Sequence, residues 1–434
     1  MHKSRLTTIF AVVFVDLLGF SLILPLITFY AGSYGASATV AGLLIASYAA
    51  AQFFGAPLLG RLSDQYGRRP VLLISILGTI CGFLLLGLAD PLGRLLAGVF
   101  PASLLGDAIA TQNMLILGLL FISRILDGLT GGNISVAQAY IADVTDESNR
   151  ARGMGLIGAA FGLGFIFGPI IGGTLSVWGY AAPAFAAAGL ASLNLIAVFL
   201  WLPESLTDMR RDQLTAKSRP IFDVLGLIEA LQRPRVSPLL YTRFFYGFTF
   251  ATLETVFPLY AEYRLNLDER MTSYIFAYIG VIIVLVQWGV VHRLAARFPE
   301  SRLIVAGLVL LALSMLGWGL APNVFIVLIV LALISLAGGV LNTTLRSSLS
   351  KAVYPEEVGG MMGLSSSIES LTHVLAPSLG GVILQRLGTA APGILAAFLL
   401  TLLIPFVWSR LIVNPAPPLP QRKQDSAFPE PIEV

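Results

Sequence analysis

Asp16 lies about ten residues into an apolar run, Leu6–Tyr30. At about 1.5 Å per residue this is about 15 Å along a helix, near the middle of a hydrocarbon layer about 30 Å thick. Holding a charge there costs roughly 2.5–3.5 kcal/mol on insertion scales, so a carboxyl at that depth reads first as functional. It can be charged or neutral, which makes Asp16 the first candidate to carry a proton; the alternative is a structural pair with a polar neighbour. Arg124 and Asp127 fall at similar depth in a second run and at i,i+3, on one side of a helix. They either neutralise each other, or Arg124 faces a cavity and attracts Asp16 or an acidic substrate. Glu254, Glu369 and His373 are further ionisable groups in apolar surroundings, the last two at i,i+4 on one face. They suit proton or cation binding, or a hydrogen-bonded pair that fills a bundle. Gln52, Asn133, Gln138, Gln287 and Asn342 either line a cavity or act as polar glue between helices.

Other chemistries lack their parts. Cys81 is the single cysteine, and His2, His292 and His373 are too scattered for a zinc site. There is neither a phosphate-binding loop nor a dinucleotide fingerprint, so neither cofactor nor metal is expected and ATP-driven transport lacks its motor.

The elements that must position these residues are membrane spans. Of 434 residues, 56% are hydrophobic and 12% charged, with mean hydropathy +0.84. Soluble domains carry about 25% charge. Runs long enough to cross a bilayer are Leu6–Tyr30, Thr39–Leu59, Val71–Ala89, Asn113–Ile141, Gly153–Val177, Ala181–Leu202, Leu239–Tyr260, Met271–Val291, Leu303–Ala321, Val324–Ser347, Gly359–Leu384 and Pro392–Leu411. The first is longer than a signal-peptide core and contains Asp16 and Pro25, so it is expected to be retained.

Basic residues orient the spans. One set of connections holds Lys3 and Arg5, the hairpin Arg61, Arg68 and Arg69, then Arg150 and Arg152, the cluster Arg210 to Arg235, Arg293, Arg297, Arg302, Arg346, Lys351, Arg410, Arg422 and Lys423. The other set holds Arg94, Arg264, Arg270 and Arg386. By the positive-inside rule the first set, with both termini, is cytoplasmic. The net charge of +3 then reflects orientation, and no nucleic-acid partner is expected.

The chain reads as a duplication. Gly155, Pro169, Gly172 and Gly173 match Gly363, Pro377, Gly380 and Gly381 at one common offset, whereas the pair Pro25 and Pro258 has a larger one. The first half therefore carries an insertion, and residues 90–112 on the outer side are the obvious one, expected as an ordered cap with a short amphipathic helix near Leu92–Phe100. The expected organisation is an N-terminal six-helix bundle (1–202), a cytoplasmic linker (203–237), a C-terminal six-helix bundle (238–413) and a Pro-rich disordered tail (414–434). Two such halves describe a transporter with its substrate site near the midplane between them.

Three motifs carry a family resemblance. Gly60-Arg61-Leu62-Ser63-Asp64-Gln65-Tyr66-Gly67-Arg68-Arg69 resembles the signature between spans 2 and 3 of the Major Facilitator Superfamily. Arg124 through Gly128 resembles its span-4 pattern, and Gly164, Gly168, Pro169, Gly172 and Gly173 resemble the span-5 motif of its antiporters. Asp16, the segment AYIADVTDESNRAR and Leu202–Ser205 are similar to the tetracycline/proton antiporter and drug-export subgroup. The resemblance implies an all-α membrane fold of twelve helices in two pseudo-symmetric bundles. It implies proton-coupled export of lipophilic or drug-like small molecules by alternating access, by a monomer in a bacterial inner membrane. It also implies a cytoplasmic latch, in which Asp64 meets the start of span 11 and pairs with Arg150 or Arg152. The subgroup carries acidic residues within spans 3 and 9, and here those spans have none; Ala296 stands at the second-half counterpart of Asp64. The rival readings are a facilitator or symporter of sugars or organic acids, and a non-transporting receptor or scramblase. A membrane-embedded enzyme lacks a paired catalytic constellation.

Overall fold

The computed structural model describes residues 2–99, 108–145, 147–206, 224–354 and 357–417, which form helices and short connections with no strand among them. Span 1 comprises α1 (His2–Ile23) and α2 (Ile27–Gly32), parted at Pro25, which has no N–H to continue the ladder. Then follow α3 (Ala38–Tyr66), α4 (Arg68–Gly87), α5 (Ala89–Val99), α6 (Ala108–Thr130), α7 (Asn133–Val144), α8 (Glu147–Leu175) and α9 (Ala181–Trp201). The second half runs α10 (Val224–Gln232), α11 (Ser237–Leu265), α12 (Glu269–Leu285), α13 (His292–Arg297), α14 (Glu300–Leu320), α15 (Val324–Lys351), α16 (Val358–Leu387) and α17 (Ala391–Trp408).

Side chains close several helix starts. Ser37 accepts from the Val40 amide, Asp268 from Met271 at 2.8 Å and Asn323 from Ile326 at 3.0 Å, each satisfying an N–H that the first turn leaves free. Among the described residues, eleven helical stretches are long and apolar enough to span a bilayer. The twelfth span is α11, whose apolar runs are interrupted by Thr, Tyr, Arg and Glu but which is buried along most of its length.

Three differences from the sequence reading concern spans 4 and 8 and the insertion. Span 4 is two helices, α6 and α7, separated at Gly131-Gly132. Span 8 continues α12 through a π-helical segment, Val286–Val291, into α13. The insertion contributes α5, which starts nearer α4 than expected and packs on α6, where a Cβ at Gly93 would meet Ile116 Cγ1 at 2.3 Å. Residues 100–107 of the insertion, 207–223 of the linker and 418–434 of the tail lie outside the described residues.

Buried apolar side chains gather mainly in two cores. One runs from Ile9 to Leu202; the other runs from Ala230 to Val407 and is joined by Ala38 and Ala41 of α3. The two sets of helices meet through α3 against α16 and α8 against α12. A Cβ at Gly42 would lie 2.3 Å from Pro377 O, one at Gly381 would lie 2.4 Å from Ala38 O, and one at Gly173 would lie 2.6 Å from Ser273 Cβ. Thr39 Oγ1 donates to Gln385 Oε1 at 2.5 Å. These contacts cluster at the end opposite the Gly60–Arg69 hairpin. At the hairpin end, Gly60, Gly155, Gly158, Gly360 and Gly363 face open space. Among the described residues, the glycine approaches between the two halves named here lie at the end opposite the hairpin.

Candidate functional site

The break in span 4 lies beside Asp16. The Gly131 amide bonds Gly128 O at 3.0 Å and the Gly132 amide bonds Thr130 O at 2.9 Å, so the α-helical ladder stops there. Backbone oxygens freed at mid-depth need partners, because the bilayer supplies none. Gln52 of α3 donates to Gly131 O at 2.9 Å and to the Tyr48 hydroxyl at 3.1 Å. The Ser75 hydroxyl of α4 shares its one proton between Thr130 O and Asn133 Oδ1. Asn133, the first residue of α7, turns its amide nitrogen to Asp16 and donates to Oδ1 at 2.5 Å. Four spans thus converge on two glycines and one carboxylate.

Arg124 and Asp127 form their own pair. Arg124 Nη1 lies 3.2 Å from Asp127 Oδ2, both side chains are 5% exposed, and the guanidinium sits 5.4 Å from the centre of the Phe83 ring. Asp16 is not in that pair. Residues three apart on one helix meet without any movement of the helices, so the local partner wins. Nε and Nη2 of Arg124 have no hydrogen-bond partner among the described residues. The Tyr48 hydroxyl stands within the field of Asp127, Asp16 and Arg124.

The span-5 motif glycines seat α8 on α1 immediately beyond Asp16. A Cβ at Gly164 would meet Leu17 Cβ at 3.1 Å, at Gly168 Ser21 Oγ at 2.0 Å, and at Gly172 Leu22 O at 2.2 Å. Ser21 Oγ donates to Gly164 O at 2.7 Å. Spacing of four residues places these glycines on one face, and only hydrogen side chains allow so close an approach. Pro169 lies inside α8 without ending it.

In the second half, Arg243 of α11 organises the polar residues. It is buried, donates from Nη1 to Asn342 Oδ1 at 2.8 Å, and pairs through Nη2 with Glu369 Oε2. Arg346 Nη2 is 3.8 Å from the same carboxylate. Glu369 is therefore held by arginine, and no hydrogen bond joins it to His373. Glu254 and His373 are partly buried near it. Gln138 and Gln287 are exposed and do not join either network. Arg243 stands out less in sequence because a cation two turns into a span reads as a boundary residue.

The signature hairpin is built around Arg68. Its guanidinium lies 2.5 Å from Asp64 Oδ1, 3.0 Å from Asp143 Oδ2 and 2.7 Å from Ser63 Oγ, and the side chain is buried. Glu204 accepts the Arg68 and Arg69 amides at 2.9 and 3.0 Å, capping α4. Gly67 has φ +106°, a backbone conformation that favours glycine, and a Cβ there would lie 2.6 Å from Glu204 Oε2. Arg69 donates to Phe199 O at 2.6 Å. Asp143 and Glu204 are partners that the motif spacing does not name. Asp64 here faces Arg68 rather than span 11. The side chains of Arg150 and Arg152 lie outside the described residues.

Two bundles of six spans, closed at one end over polar networks at mid-depth, define an integral multi-pass transporter. The chain belongs to the Major Facilitator Superfamily, whose family model matches residues 9–293 and 289–433. It is 31% identical over 385 residues to the tetracycline resistance protein, class C, of Escherichia coli, covering 86% of this chain and 88% of that one. It is 28% identical over 386 residues to solute carrier family 22 member 18 of Rattus norvegicus, covering 89% of each. Among solved structures it is similar to the human organic anion transporter MFSD10 (TETRAN), with TM-score 0.65, 23% identity, and 94% of this chain and 99% of that chain covered.

Proposed function

We propose that this transporter is a proton-coupled antiporter that exports lipophilic or drug-like small molecules. The observation that carries the reading is Asp16: a carboxyl at mid-depth, held by the neutral amide of Asn133 rather than by a cation. A carboxylate locked to arginine has little reason to take up a proton; one held by an amide can gain or lose it while its neighbour stays in place. Likeness to tetracycline resistance proteins supports export, and α8 packed on α1 by the antiporter-motif glycines supports exchange. The positive-inside rule makes the hairpin end cytoplasmic, with both termini on that side, so the conformation is inward-facing. The latch belongs to the opposite, outward-facing conformation, in which Asp64 would reach the start of α16 and its helix dipole. A bacterial inner membrane, a monomeric state and division at residues 202 and 238 belong to the same reading.

An imposed pH gradient supplies the force, about 1.4 kcal/mol per proton for each pH unit. The test is counterflow of candidate drugs in proteoliposomes with and without a pH gradient. Asp16→Asn keeps the shape and fixes a neutral side chain. It is expected to abolish uphill transport and to spare downhill exchange. Undiminished uphill transport by Asp16→Asn removes Asp16 from coupling and passes the role to Glu254 and His373. If a pH gradient drives no uphill transport by the unmodified protein, a facilitator is the better reading.

A further inference from the structure

We infer that Asn133 is the positioning residue that ties the proton state of Asp16 to the hinge of span 4. The inference rests on the proposed coupling role of Asp16 and adds how a proton there is felt by the gate. Asn133 is 2% exposed and is the first residue beyond the Gly131-Gly132 break, so its side chain moves with α7. Its Nδ2 is on Asp16 of α1, and its Oδ1 is on the Ser75 hydroxyl, which also faces Thr130 O at the end of α6. One amide therefore joins the carboxylate on one side to the anchored lip of the break on the other. Beyond it, α7 leads toward the hairpin end, where Asp143 pairs with Arg68.

The chemistry gives the link a direction. A hydrogen bond to an ionised acceptor is about twice as strong as one to a neutral acceptor. A carboxylate therefore holds the start of α7 against α1. A protonated Asp16 holds it less well and can turn its own O–H elsewhere. The break supplies the freedom to respond, because two glycines carry no ladder across it and small residues tolerate backbone rotation. The charged and titratable groups that face Asp16 are few. Tyr48 comes from α3, and Asp127, itself paired with Arg124, comes from α6. The membrane-spanning stretches of α4, α8 and α9 hold no Asp, Glu, Lys, Arg or His. Asp127 is paired with Arg124, so the Asn133 contact is the one that changes when Asp16 changes charge.

The test uses the full chain with exposed Cys81 replaced by serine and spin labels at Ala142→Cys on α7 and Gly360→Cys on α16. The distance between the labels is read from about pH 5 to about pH 9 in detergent, spanning the range over which side chains change charge near neutrality. A pH-dependent distance change is expected in this background, and Asn133→Ala is expected to remove it across the whole window. If Asn133→Ala only displaces the midpoint and keeps the amplitude, Asn133 tunes Asp16 without transmitting its state, and the inference is overturned. If Asp16→Asn leaves the change intact, the coupling reading fails instead, which separates the two. Gly131→Ala keeps Asn133 and its bond but adds a methyl 3.0 Å from Asp127 O and 3.2 Å from Gln52 Nε2, restraining the break. It is expected to blunt the change as well. Should Asn133→Ala fail to fold, a full response in Gly131→Ala overturns the hinge.

Discussion

Glu369→Gln tests whether the second-half network is a structural staple. Arg243 is 2% exposed, its Nε has no partner among the described residues, and its charge is met by the Glu369 carboxylate, with the neutral Asn342 adding one hydrogen bond and the Tyr246 ring lying 5.8 Å away. Stranding a buried charge by removing its partner costs about 3–5 kcal/mol. Unfolding entropy of about 2.1 cal/mol/K per residue, over 434 residues, gives ~0.9 kcal/mol/K. The melting temperature should then fall by about 3–5 °C. Arg243→Met should cost less, because Glu369 is 37% exposed and keeps Arg346 at 3.8 Å. The double variant Arg243→Met with Glu369→Gln should recover most of the loss, since no charge is stranded. The assay is a thermal melt of purified protein in detergent, followed by tryptophan fluorescence, with all three variants in one double-mutant cycle. Glu369→Gln melting with the unmodified protein, or a double variant as unstable as the sum of the singles, refutes the reasoning. Glu369 would then return to the groups free to carry a proton.

Further expectations bear on the other sites. Glu204→Gln removes the charge that caps α4 through two amides and should lower stability by about 1–2 kcal/mol, read in the same melt. Gly168→Val puts carbon onto Ser21 Oγ and should collapse the yield of monodisperse protein, whereas Gly60→Ala meets nothing within 4 Å and should be neutral or stabilising by about 0.5–1 kcal/mol. Equal yields of the two would show that the glycine stripe does not set the α1–α8 approach. Asp64→Asn should depress transport without lowering membrane insertion; wild-type transport rates over a range of pH would leave the hairpin a topology signal only.

The spans were legible in the sequence because a bilayer demands about 20 apolar residues for each crossing, and that demand is met locally along the chain. Duplication was legible for a related reason. Gly173 and Gly381, at the one common offset, mark the corresponding close approach in each half, of α8 to α12 and of α16 to α3. The importance of Asp16 was legible from depth alone. Its partner was not, since Asn133 is distant in sequence and is brought to Asp16 only when α7 packs beside α1. The break at Gly131-Gly132 shows the same division. Paired glycines make a break possible, but they occur also at Gly172-Gly173 and Gly380-Gly381, inside unbroken helices. What separates the cases is the neighbours: Gln52 and Ser75 come from two other helices to satisfy the freed carbonyls. Arg124 chose the partner three residues away, as sequence spacing allows; Glu369 did not choose His373 four residues away, because packing placed Arg243 of another helix against it. Sequence alone determined which residues must lie in the membrane and which charges there require partners. Tertiary structure decided who those partners are, because in a low-dielectric interior a charge is met by whichever polar group the packing of other helices brings within about 3 Å.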